Sequence, residues 1–174
     1  MKHLVVVVFP DVSGAGKLQV ALRPTLVPQR GNPRLLAEAV AIRERSGRVT
    51  TRHDVTLAPG PEAESEPLWA LLVTLLVQGP LGGKLWGTPR RILWQRLIEE
   101  GMDERFLKQV VTAIVPTGSA LFLLMEPSVI DKFEAWRSQT TGRGRVLSTT
   151  IAYNVDSALR DELTRDESEQ LTTR

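Results

Sequence analysis

Residues 4–22 read LVVVVFPDVSGAGKLQVAL. The first six form an unbroken Val-rich run, Leu4 to Phe9, which is the pattern of a short strand buried on both faces. Pro10-Asp11 ends it, Ser13 is placed to cap a helix from Gly14 to Leu22, and Pro24 predicts the end of that helix. The same order of parts returns at residues 121–137, LFLLMEPSVIDKFEAWR. There Ser128 and Asp131 have the spacing of a capping box over Val129, Ile130, Phe133 and Trp136. A strand, a proline turn and a helix thus occur twice.

Working outward from these units, Pro28, Gly31 and Pro33 mark a loop, and two strands follow. They run from Leu36 to Arg45 and from Arg48 to Leu57, joined at Ser46-Gly47, a two-residue hairpin signal. In the second, Val49, Thr51, His53, Val55 and Leu57 share one face, while Arg48, Thr50, Arg52 and Asp54 share the other. Asp103 predicts the cap of a helix whose apolar positions Phe106, Leu107, Val110, Val111 and Ile114 follow the 3.6-residue period. Gly142 and Gly144 lead into a last strand, Val146 to Tyr153, and Asp156 predicts a final helix cap. The element order predicts an α+β fold, a ferredoxin-like sandwich interrupted by an inserted hydrophobic helical hairpin. Its divisions are residues 1–58 and 101–163 for the two halves of the domain, 59–100 for the linker and insertion, and 164–174 for a polar tail.

Composition removes many function classes. The 174 residues are 42% hydrophobic and 24% charged, which excludes a disordered chain. With no cysteine there is no disulfide scaffold, thiolate metal site or cysteine nucleophile, and His3 and His53 are too few for a histidine cage. No metal or cofactor is expected. The net charge of +2 is small for a polyanion binder, and the central strands offer no exposed aromatics, so nucleic acid is not an expected partner. The N-terminus lacks a signal-peptide pattern, so the expected location is cytoplasmic, or peripheral to the inner face of the cell membrane.

Two polar groupings are candidates for chemistry. Ser13-Gly14-Ala15-Gly16-Lys17 opens a helix after a buried strand, but Leu18 stands where a phosphate loop needs Ser or Thr. A glycine-rich turn is the better reading. Arg52, His53 and Asp54 could serve as the polar groups of a pocket between sheet and helices, although no Ser or second His accompanies them. No catalytic constellation emerges, and no enzyme activity is expected.

The segment that a soluble core does not call for is Pro67 to Gly83, seventeen consecutive uncharged residues broken at Gly79-Pro80. It is shorter than the about 20 residues of a spanning helix, yet too uniformly apolar for a helix with one wet face. Basic residues then interleave with tryptophans from Lys84 to Arg96, the composition of a membrane-interface element. Burial within or between protein subunits weighs slightly more. The expected contact residues are Trp69, Leu72, Leu76, Leu81, Trp86, Arg90, Arg91 and Trp94. The expected partner is a second copy of the chain (a homo-oligomer), another protein or a lipid surface.

Several stretches resemble the domain-of-unknown-function 1269 family of bacterial and archaeal proteins, usually described as predicted membrane proteins. They are Phe9-Pro10-Asp11, the hairpin Arg43 to Val49, Trp69 to Leu76, Pro80 to Gly83, Gly101-Met102-Asp103-Glu104-Arg105-Phe106-Leu107, Val115 to Phe122 and Val146 to Thr150. The resemblance implies a small α+β domain interrupted by a hydrophobic hairpin, and it brings no catalytic residues. Family members continue into a second Gly/Ala-rich stretch, which is replaced here by the basic, Trp-bearing Lys84 to Glu100. The expected function is therefore a non-enzymatic assembly or membrane-peripheral protein with residues 68–98 as its contact arm. The alternative is a small-molecule sensor or enzyme with a pocket between sheet and helices.

Overall fold

The computed structural model describes residues 1–26, 35–54, 66–78, 88–139 and 144–152. In chain order these hold β1 (Lys2–Phe9), α1 (Gly14–Leu26), β2 (Leu35–Arg43), β3 (Val49–Asp54), α2 (Glu66–Gln78), α3 (Thr88–Glu99), α4 (Glu104–Ala113), β4 (Ser119–Met125), α5 (Pro127–Gln139) and β5 (Arg145–Ile151). The loop at Pro28, the linker before Glu66, the final helix at Asp156 and the polar tail lie outside the described residues.

The chain is α+β, as expected. Its five strands form one sheet in the order β3-β2-β4-β1-β5, with every neighbouring pair antiparallel. Each repeated unit contributes two parallel strands that flank a strand of the other unit. β4 lies between β1 and β2, and β1 lies between β4 and β5. Neither unit can therefore complete its half of the sheet alone.

Period-two alternation assigns the faces. Val5, Val7 and Phe9 of β1 and Leu121, Leu123 and Met125 of β4 pack with α1 and α5. Leu4, Val6 and Val8, with Ala120 and Phe122, face the opposite side and pack with α2, α3 and α4. Helices cover both faces, so β1 and β4 are buried on both sides, which is why they read as unbroken apolar runs.

The inserted segment departs most from expectation. No projecting apolar hairpin is present among the described residues. α2 packs against β2, β3 and α4, and its Trp69, Leu72, Val73, Leu75, Leu76 and Val77 are all buried. Protein on more than one side explains a helix that is apolar nearly all round. Ala37, Ala39 and Ala41 of β2 belong to the same cluster, and their small side chains leave room for the bulky residues of the insertion. The Trp69 indole N–H donates to the Glu38 carbonyl at 3.3 Å, and the Arg43 guanidinium donates to the Val77 carbonyl at the end of α2 at 3.0 Å. With about 1.5–3 kcal/mol for each large apolar side chain buried, lying on the sheet wins over projecting from it.

Smaller differences have local causes. The helix α1 passes through Pro24 to Leu26 because Leu22 and Leu26 are both anchored in the core, while Val20 and Pro24 are exposed. The hairpin turn has three residues, Arg45-Ser46-Gly47, closed by Glu44 and Arg48, and Gly47 takes φ +86°. The helix α5 starts at Pro127, one residue before the expected Ser128 cap, and proline suits that first position. Asp103 caps α4 as expected, its carboxylate accepting from the Arg105 N–H at 2.9 Å.

Candidate functional site

The expected contact residues divide into three groups. Trp69, Leu72, Leu76 and Trp94 are buried within the chain, in one apolar cluster with residues of the sheet. Arg90 and Arg91 fall within α3, and their side chains lie outside what is described. Leu81 and Trp86 lie outside the described residues altogether. No described helix is long and apolar enough to cross a membrane.

The polar candidates Arg52, His53 and Asp54 occupy β3, an edge strand paired with β2 at Val40, Ala39 and Glu38. Arg52 is exposed, and the side chains of His53 and Asp54 are outside what is described. A pocket among the described residues lies elsewhere, toward the opposite edge of the sheet.

That pocket has a volume of about 320 Å³ and opens between α1 and α5 over β1 and β5. Val7, Phe9 and Val146 supply the sheet side; Leu18 and Ala21 come from α1, and Phe133 and Trp136 from α5. Val7 and Val146 are register partners. The spacing of Phe133 and Trp136 puts both on one face of α5. Asp11, Lys17 and Arg137 complete the lining with charge.

Two glycines fix its shape. A Cβ at Gly14 would stand 2.4 Å from the Phe9 ring, and one at Gly144 would stand 2.5 Å from Val7 and 2.8 Å from Phe9. Any side chain at either place would displace the Phe9 ring or close the space beside it. The turn before α1 is also tied from outside. The Ser119 hydroxyl donates to the Asp11 carbonyl at 2.6 Å and accepts from the Ala15 N–H at 3.1 Å. Ser119 is fully buried at the start of β4, so the mouth of the pocket is anchored to the sheet centre.

The Asp11 carboxylate accepts from the Ser13 hydroxyl at 2.8 Å and the Ser13 N–H at 3.0 Å. The Ser13 hydroxyl, with backbone N–H groups and the nearby Lys17 charge, holds the Asp11 carboxyl below its usual range despite some opposing desolvation. Deeper along α1, Glu38 of β2 is 3% exposed and accepts from Gln19 at 3.0 Å and from Arg23 at 3.1 Å. These bonds tie the middle of α1 to β2, away from the cavity. Among the described residues no cluster of His, Cys, Asp and Glu could hold a metal ion.

Sequence reasoning singled out Gly14 and Lys17 as part of a glycine-rich turn but did not connect them to a pocket. It missed Phe9, Phe133, Trp136 and Gly144 as lining residues. The available signal was the repeated strand-turn-helix unit, which places both helices on one face of the sheet.

Fold and site together define a small α+β domain with a ligand-sized, largely apolar cavity beneath two helices. The family described as "Protein of unknown function (DUF1269)" matches residues 63–164, more than half of the chain, and the chain belongs to that family. No curated protein and no solved structure matches it.

Proposed function

We propose that this protein is a non-enzymatic small-molecule-binding module whose ligand occupies the cavity between α1, α5, β1 and β5. The observation that carries the reading is the cavity itself. At about 320 Å³ it falls in the range of ligand pockets, about 300–1,000 Å³, and has their usual make-up of apolar walls with a few polar groups. Among the described residues its lining pairs no nucleophile with a base, and the Asp11 carboxylate is already engaged by its own turn, which favours binding over catalysis. In this reading the scaffold is ferredoxin-like: β1, β2, β4 and β5 with α1 and α5 form two interleaved split βαβ units. β3 extends one edge, and the insertion seals the second face. The insertion is then a structural cover instead of a contact arm.

Native mass spectrometry of the purified chain tests the proposal. A small molecule should travel with the protein and be lost from Ala21→Trp, which fills the mouth from an exposed position on α1. A ligand retained equally by that variant, or binding that survives it unchanged, would place the site elsewhere.

A further inference from the structure

The charges at the cavity mouth narrow the ligand's chemistry, given that the cavity is a ligand site. Among the described lining residues, Lys17 and Arg137 come from α1 and α5 against one carboxylate, that of Asp11. That carboxylate serves its own turn through the Ser13 hydroxyl and N–H. Arg137 also meets Glu134 at 3.3 Å, but both groups are about half exposed, and an exposed pair of this kind holds its arginine only weakly. Guanidinium has five N–H donors, so one such contact leaves others for a ligand. The described lining therefore has an excess of one positive charge, contributed by groups from two different helices.

We propose that the ligand is an amphipathic monoanion, with a carboxylate-type head between Lys17 and Arg137 and an apolar body against Phe9, Phe133 and Trp136. A cationic ligand would face two like charges at the mouth, against one carboxylate among the described lining residues, Asp11, which already accepts two hydrogen bonds from Ser13. A strongly polar neutral ligand would bury its hydroxyls or amides against aromatic and aliphatic walls without partners, at a desolvation penalty. A monoanion leaves its charge at the rim, where two helices supply donors, and buries only apolar surface.

Isothermal titration calorimetry on the full chain at low ionic strength tests this with 2-naphthoate and its neutral counterpart 2-naphthamide. The carboxylate should bind about tenfold more tightly than the amide, as expected for charge-assisted hydrogen bonds replacing neutral ones. The preference should shrink toward equality in the Lys17→Gln/Arg137→Gln double variant, whose changes fall on exposed side chains, and with added salt. Equal binding of both probes by the unmodified chain would overturn the anion proposal and leave the cavity reading standing. A preference that persists undiminished in the double variant would overturn the assignment of Lys17 and Arg137. Binding of neither probe would overturn the cavity reading, and this inference with it.

Discussion

The two faces of the sheet are covered by helices in opposite ways. On one face α2, α3 and α4 bring Trp69, Leu72, Leu76, Leu93, Trp94 and Leu97 into one buried cluster with three alanines of β2. On the other, α1 and α5 meet the sheet over a smaller apolar cluster and leave a cavity between them, with charged residues at its edge. High hydrophobicity in the sequence marks the first face, where the side chains serve each other. Space and charge mark the second, and neither is conspicuous in the sequence. An apolar segment is thus a poor guide to a binding surface when a sheet face of matching size is available to bury it.

The strongest way to break this contrast is to put a charge in the filled face. Leu76→Asp would bury an unpaired carboxylate beneath α2, and a loss of about 4–5 kcal/mol or more is expected, enough to unfold the chain. Circular dichroism and urea unfolding check it. A variant that stays folded and loses only oligomer mass would restore the contact-arm reading.

A smaller effect is expected at the open face. Gly14→Ala drives a Cβ into the Phe9 ring and should cost about 1–3 kcal/mol. Gly16→Ala, two residues on, meets nothing within 4 Å and should be neutral or slightly stabilising. Equal urea midpoints for the two variants would show that Phe9 and Gly14 do not define the cavity wall as described.

The polar link beneath α1 sharpens the comparison further. Arg23→Met leaves the buried Glu38 with Gln19 alone, and a loss of about 1–2 kcal/mol is expected, moderated because Arg23 is itself 45% exposed. No change in thermal midpoint would mean that Glu38 is satisfied without it.

The smallest effect concerns Asp11. Its carboxyl is held below the usual range in the folded state, so its contribution is present at neutral pH and fades as the pH falls through that lowered value. Asp11→Asn should flatten the acid limb of a stability-versus-pH profile slightly and leave the neutral region shifted by a constant amount. An unchanged acid limb would remove Asp11 from the account of the turn.

Much of the scaffold was legible because β1 and β4 are buried on both faces and therefore look like strands regardless of neighbours. The Asp103 cap and the amphipathic period of α4 were legible for the same local reason. The role of α2 was not. Its uniform apolarity is equally consistent with lipid, a second subunit or an internal cover, and the small β2 side chains it packs with, Ala37, Ala39 and Ala41, lie far from it in the sequence. The cavity was hidden for a related reason. Phe9 and Gly14 belong to one repeated unit and Trp136 and Gly144 to the other, and no spacing in the sequence connects the two units. Arg52, His53 and Asp54 stood out through residue type alone, yet belong to the far edge of the sheet.

The contrast between the faces is tested most directly by two-dimensional amide NMR during titration with 2-naphthoate. The account predicts saturable shifts at Gly14, Lys17, Gly144 and Val146, with Leu72, Leu76, Leu93 and Leu97 unmoved. Shifts concentrated in α2 and α3 while α1 and β5 stay still would contradict it.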